Sequence, residues 1–405
     1  MQSVYERCCG VDVHKKKIVA CLVVGKKQEL RTFGTMTKDI REMANWLVEN
    51  GCEMVAMEST GAYWKPLYNV LEVLGLEVMV VNAQHMKAVP GRKTDVKDAE
   101  WIADLLRHGL LRASFIPDRE QRELREISRY RKSLTEERAR ENNRLQKILE
   151  GCNIKLSSVV SDITGLSSRR LLQKVVGNGV CEDEINDLLH GRLLGKREEL
   201  LLACDGVVTK LQKKLICAIL DHIDDMTRRI SDMDGIINDE MQKFEEAIRA
   251  IDEIPGIARQ SAQNILAEIG LDMSRFPTDA HICSWAGLSP GNNESAGKRK
   301  SGRTCKGNMM LKTTLVQAAK TAVKKKDSFF KAQYDRLVVR RGANRATVAV
   351  AHSMLIAIYH ILKDNTPFRD LGADYYNQFN AQKKISAYLK KLTDLGWQPT
   401  TTSAV

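Results

Sequence analysis

The sequence predicts three successive architectures: an α/β layer at the N-terminus, a middle of long helices, and a mainly α-helical C-terminal region. Three observations carry this. Short apolar runs alternate with amphipathic stretches up to residue 116, isoleucine recurs every seven residues from 216, and beyond 250 the apolar residues return at helical spacing around one glycine-rich basic loop. The 405-residue length suits two or three domains.

Residues 1–116 open on the strand-like run CCGVDVHKKKIVACLVV. Helix-like IREMANWLVENG, strand-like MVAMES, helix-like GAYWKPLYNVLEVLG, strand-like LEVMVVN and helical DVKDAEWIADLLRHG follow. That succession predicts helices laid on a central sheet. Region 117–249 begins with a charged helix, marked by proline and acids at its start and Gly151 at its end. In it Leu124, Ile127, Leu134, Leu145 and Ile148 fit a heptad that Arg131, Arg138 and Glu141 interrupt. Residues 151–206 read as short helical pieces without a legible order. A second long helix then carries Ile216, Ile223, Ile230, Ile237 and Phe244 seven apart, with Ile219, Met226 and Met233 on the companion track. Such a seam predicts coiled-coil packing, in a homodimer or against helix 118–150 of the same chain. Region 250–370 holds IDEIPGIARQSAQNILAEIG, a helix–hairpin–helix-like pattern, then the basic loop and two further helices. Residues 371–405 read as a polar, frayed tail.

The balance of 63 Lys+Arg against 51 Asp+Glu gives a net charge of +12 and points to a polyanionic partner, nucleic acid before membrane. The ten cysteines show no CxxC pair and no zinc-like Cys/His spacing, so reduced thiols in a cytoplasmic protein are expected. The start MQSVYERCC lacks the apolar run of a signal peptide, and no apolar stretch approaches the roughly 20 residues that span a bilayer.

Four acids are candidate metal ligands: Asp12 in GVDVHK, Glu58 ending MVAMES, and Asp95 and Asp98 in KTDVKDAE. Residues three apart share a helix face, and hard oxygen donors from strand ends and one helix suit a pair of Mg²⁺ ions in phosphoryl transfer. Singly, each also suits a cap or a solvated face. Asp12 is the telling one, because a carboxylate inside an apolar strand needs a partner. Beside these acids, His14, Lys15 and Lys97 suit phosphate, although His14 and Lys15 first suit the start of an exposed turn. Gly256 in IPGI is the candidate for close approach to a DNA phosphate, although a tight turn would use the same residues and Ala258 replaces the second glycine of such hairpins. In NNESAGKRKSGRTCKGN, Ser295 precedes Lys298, Arg299, Lys300, Arg303 and Lys306, with Lys312 beyond and glycines that let a backbone come close. On its own residues Ser295 remains a turn residue, a phosphate contact or a nucleophile.

Taken together, GVDVHK, MESTGAYW, KTDVKDAEWIADLLRHG, IPGI, WAGLSP, NESAGK and SGRTCKGN resemble the insertion-sequence transposases of the family numbered one hundred and ten, relatives of the Piv-type DNA invertases. The resemblance covers roughly 5–116 and 250–362, with the motifs in the family's order. It implies a ribonuclease-H-like (RuvC-like) domain with a DEDD metal site at Asp12, Glu58, Asp95 and Asp98, and a transposase domain whose serine is Ser295. Ala296 follows that serine where many relatives have glycine. It further implies magnesium-assisted recombination of donor and target DNA through a phosphoserine link, a composite site from both domains, and a structured guide (bridge) RNA; the heptad of the 216–244 helix adds a homodimer, with a tetramer as the synaptic form. Two other readings compete: a RuvC-like junction nuclease using metal-activated water, and a nucleic-acid-binding scaffold without catalysis.

Overall fold

The computed structural model describes residues 3–59, 61–82, 95–177, 179–291, 293–295, 298–301 and 303–397, with backbone alone at 95–96, 293–295, 298–301, 377, 379–380 and 382–384. The chain forms two compact units, Met1–Arg122 and Glu123–Val405.

In the first unit, β1 (Arg7–Val13), β2 (Ile18–Val24) and β3 (Lys27–Phe33) form an antiparallel meander, and β4 (Met54–Glu58) and β5 (Glu77–Val81) continue the sheet parallel to β1. The strand order is β3-β2-β1-β4-β5. On one face Cys9, Val11, Val55 and Met57 bury against Met43 and Leu47 of α1 (Thr37–Glu49) and Leu67 and Leu71 of α2 (Trp64–Val73). On the other, Cys8, Val19, Cys21 and Ala56 bury against Ala99, Ile102, Ala103 and Leu106 of α3 (Asp95–Arg107). Strands covered on both sides are apolar at successive positions, which is why CCGVDV and IVACLVV read as unbroken runs. The polar edge strand β3, exposed at every position but Phe33, gave no such signal.

Gly10 sets how closely α3 lies on β1. A Cβ there would stand 2.8 Å from the Ala103 Cα, with the Ala103 nitrogen and the Ala99 carbonyl oxygen nearer still. Gly10→Ala is therefore expected to lift α3 from the sheet and cost about 3 kcal/mol or more, measured as the urea unfolding free energy. An unchanged midpoint would mean that the helix can slide at no cost.

The long helix α4 (Arg119–Gly151) runs on into the second unit, where four short helices follow: α5 (Leu156–Val159), α6 (Leu166–Val176), α7 (Ile185–Leu188) and α8 (Arg197–Cys204). The second long helix, α9 (Lys210–Glu240), starts from a capping box of Thr209 and Gln212. Arg131 pairs with Asp234, and Arg138 donates to the Thr227 hydroxyl at 3.2 Å. As one number rises by seven the other falls by seven, which marks an antiparallel pair within one chain. Leu145 and Leu149 share a core with Ile216, Ile219, Leu220, Ile223 and Met226, and α5 to α8 close round it. The heptad of α9 thus finds its partner in α4. This corrects the reading of that face as an intersubunit seam. Its last position, Phe244, lies beyond the helix in a short 3-10 turn, and Arg131, which broke the sequence pattern, is buried by its ion pair.

The remaining helices are α10 (Glu245–Asp252), α11 (Arg259–Ile269), α12 (Asp279–Trp285), α13 (Met309–Ala322), α14 (Phe329–Arg341), α15 (Ala343–Asp364) and α16 (Tyr375–Asp394). Two differences from expectation stand out. Helix α15 has the length and apolar composition of a bilayer span, contrary to the sequence reading, and half of its apolar window is buried; it lies against α12, α13 and α14 as a core helix does. The supposed frayed tail carries α16, which the rings of Tyr375 and Tyr376 anchor on Phe329.

Candidate active site

In the first unit two of the candidate acids, Asp12 and Glu58, fall on one sheet face, the one that α3 covers. Along β1, Cys8, Gly10 and Asp12 alternate toward α3, and on neighbouring β4 Ala56 and Glu58 do the same, because strand side chains repeat every second residue. The Cys8 thiol reaches the Ala103 carbonyl, while Gly10 meets Ala99 and Ala103. Helix α3 therefore runs opposite to β1, and its N-terminal turn, with Asp95 and Asp98, comes toward Asp12. Four helical residues rise about 6 Å and two strand residues about 6.6 Å, so the acids keep step with the strand.

Asp12 is 7% exposed on an otherwise apolar strand, and its carboxylate lies 2.9 Å from His14 Nε2. The His14 backbone N–H donates to the Lys17 carbonyl at 3.0 Å, so this residue opens the β1–β2 turn and turns its ring back to the acid. Of the two readings weighed for His14, the structure shows the turn, with the ring set against Asp12. Asp98 and Glu58 are half-buried. Among the described residues no group of three metal-ligating side chains forms, and the Asp95 side chain lies outside them. The donor chemistry nevertheless fits a hard divalent cation: a buried carboxylate at a strand end, with further carboxylates approaching from the next strand and from α3. Magnesium at such a set would be held by Asp12, Glu58 and the acids of α3.

The second unit turns the basic loop into a β-hairpin. Strand β6 (Asn293–Ser295) pairs antiparallel with β7 (Lys298–Ser301), with Ser295 opposite Lys298 at the turn. The arms continue downward, since the Gly291 N–H donates to the Arg303 carbonyl at 2.8 Å and the Cys305 N–H to the Ser289 carbonyl at 3.1 Å. Ser295 thus stands at the tip of a ribbon. Of the basic candidates, Lys298, Arg299 and Lys300 lie on β7 with side chains outside the described residues, Arg303 and Lys306 are exposed, and the Lys312 ammonium donates to the Thr304 hydroxyl at 2.6 Å. At the base two backbones cross: a Cβ on Gly307 would lie 2.6 Å from the Ala286 carbonyl carbon, and one on Gly287, whose φ is +71°, 3.0 Å from the Cys305 carbonyl oxygen.

Gly256, with φ +87°, lies between α10 and α11 as the hairpin reading required. Its missing side chain makes room for α13, however, because a Cβ would stand 2.6 Å from the Ala322 nitrogen. That close approach is to the chain itself.

Sequence reasoning missed Glu268 and Asn308. Glu268, 1% exposed on α11, accepts from Arg129 Nε at 2.7 Å and Nη2 at 2.8 Å, and its second oxygen also accepts from Asn308 Nδ2 at 2.6 Å. This carboxylate holds the Arg129 guanidinium charged, raising its pKa. The signal was there, a lone acid in the apolar run NILAEIG, yet nothing in sequence paired it with residues some 40 and 139 positions away. All ten cysteines are free, and burial pushes the Cys52 and Cys283 thiols up to about 12, as inert structural thiols require.

Two family models match. One, described as transposase and of the DEDD IS110 type, covers residues 9–154; the other, described as transposase of the IS116/IS110/IS902 family, covers 248–335. The first spans the four acids and the second the hairpin. Among curated proteins, the transposase for insertion sequence element IS1111A of Coxiella burnetii is 24% identical over 79% of either chain. A probable family 20 transposase of Pseudomonas aeruginosa is 24% identical over 89% of this chain and 94% of its own. The insertion element IS110 protein of Streptomyces coelicolor is 25% identical over 68% and 72%.

Proposed function

Since the chain belongs to the IS110 family of insertion-sequence transposases and is an enzyme of DNA recombination, we propose that it cuts and rejoins donor and target DNA with Ser295 as nucleophile. Magnesium ions at a RuvC-like set of Asp12, Glu58, Asp95 and Asp98 assist. What supports this reading is that neighbouring strands carry Asp12 and Glu58 on the sheet face that α3 covers, and that Ser295 stands at the turn of a hairpin.

When bound, magnesium supplies Lewis-acid polarisation of the phosphate and lowers the cost of an alkoxide. The chain's own residues do the rest. Ser295 Oγ attacks phosphorus and gives up its proton; an Oγ–P bond forms as the P–O3′ bond breaks, and the freed 3′ oxygen takes up a proton. A 3′ hydroxyl then reverses the step on the partner strand and releases the serine. Two transesterifications leave the number of phosphodiesters unchanged, so no outside energy is needed. Lys298, Arg299, Lys300, Arg303 and Lys306 bind along the sugar–phosphate backbone, a contact that positions without reading sequence.

Protease digestion after reaction with donor and target duplexes tests this: a DNA-linked peptide carrying Ser295 is the expected product. Strand cutting with no adduct would instead favour a junction nuclease that uses water. We also propose that a structured RNA from the element's end guides target choice, that the working form is a homodimer pairing into a tetramer at synapsis, and that it acts in the cytoplasm. Ribonuclease treatment of the purified protein is expected to stop recombination, and a transcript of the noncoding end to restore it. Undiminished activity after that treatment removes the guide.

A further inference from the structure

A hairpin presents its tip only as accurately as its base is held, and this base is tied to a buried charge. Asn308 closes the hairpin and opens α13, and it uses the two ends of its amide differently. Its Oδ1 accepts from the Leu311 N–H at 3.1 Å, capping the helix, while Nδ2 donates to Glu268. Its backbone N–H meanwhile donates to the Trp285 carbonyl at 3.0 Å, across the glycine crossing. Capping needs only the oxygen, and serine or aspartate would serve as well. The amide nitrogen is the additional element. Its acceptor is fixed, because Arg129 grips both oxygens of Glu268 and Arg125 Nε stands 3.5 Å from one of them. Burying a carboxylate is costly, and here the carboxylate joins three elements, α4, α11 and the hairpin base, through charge-assisted hydrogen bonds.

We propose that Glu268, acting through Asn308, is a positioning residue that fixes the direction in which the hairpin carries Ser295. The inference rests on the reading of Ser295 as nucleophile. Glu268 never touches the reacting phosphate; it holds the base from which the reacting serine projects.

The test is Asn308→Ser, which keeps the cap and loses the reach to Glu268, with Asn308→Asp as a second variant that keeps the cap and sets like charges face to face. Both are expected to slow adduct formation about 10–100-fold, the scale of a misplacement near 1 Å, with DNA affinity close to wild type; the thermal midpoint stays close to wild type in Asn308→Ser and falls in Asn308→Asp, where two carboxylates meet in a buried site. Amide exchange at Gly291 and Cys305, whose N–H groups tie the two arms, is expected to quicken about tenfold, as a base released from its anchor opens more often. Wild-type adduct rates in both variants, or unchanged exchange at those amides, would overturn the proposal. So would a loss of affinity and midpoint in proportion to activity, which would make Asn308 a structural cap alone. Ser295→Ala measured alongside separates the two ideas: if it still forms the adduct, the nucleophile is elsewhere, while the exchange readout continues to decide whether Glu268 holds the hairpin.

Discussion

Ser295→Ala is expected to abolish recombination and the covalent protein–DNA product, a loss of roughly 10⁴-fold or more, on the scale seen when a nucleophile is deleted. The fold should survive. Ser295 ends the short strand β6 at the hairpin turn, and the hairpin closes on backbone pairs lower down its arms, at Gly291 with Arg303 and at Ser289 with Cys305. Removing one hydroxyl at the tip leaves those pairs intact. DNA binding should likewise persist with an unaltered salt dependence, because no charge is lost. Recombination at wild-type rate by this variant would sink the serine mechanism. Cutting without the adduct would leave the acids as the whole of the chemistry.

Asp12→Asn is expected to be the other near-complete loss, about 10³-fold or more in the single-turnover rate. The substitution keeps shape and hydrogen-bonding capacity toward His14 but removes the charge. Because Asp12 is buried on an apolar strand, losing that charge also removes a desolvation cost, so the unfolding free energy should be equal or higher. Lost activity beside retained stability is the signature of a residue kept for chemistry. A scaffold without catalysis would show no change in any activity, and that outcome would exclude the metal-site reading.

The legible parts of the fold were those in which burial imposes a period. Strands β1 and β2, covered on both faces, read as apolar runs, and the isoleucines of α9 announced a helical partner. Periodicity does not say whose helix that partner is. The answer lay in the pair of Arg131, which the sequence reading took for an interruption, with Asp234, which it passed over. Polar elements were hidden for a related reason: β3 is held by hydrogen bonds to β2 and by Phe33 and Arg31 on Trp46, with no apolar period along it, while β6 and β7 form from a glycine-rich basic run without strand character. At the candidate site, Asp12 was conspicuous because a buried acid in a strand is unusual, and the sheet register then brought Glu58 beside it. Ser295 could be aligned by its motif, but nothing around it foretold a ribbon. Glu268 escaped because its meaning depends on Arg129 and Asn308, which only folding brings near.

The crossing of Gly287 and Gly307 has a consequence for how such a chain can diversify. Main chain meets main chain there, with no room for a side chain on Gly307. Contacts of that kind are blind to whatever amino acids occupy the span between them. The ribbon is in effect a mounted part: its footing at Gly307 has no space for a larger residue, whereas exchange of the residues further out leaves that footing as it is.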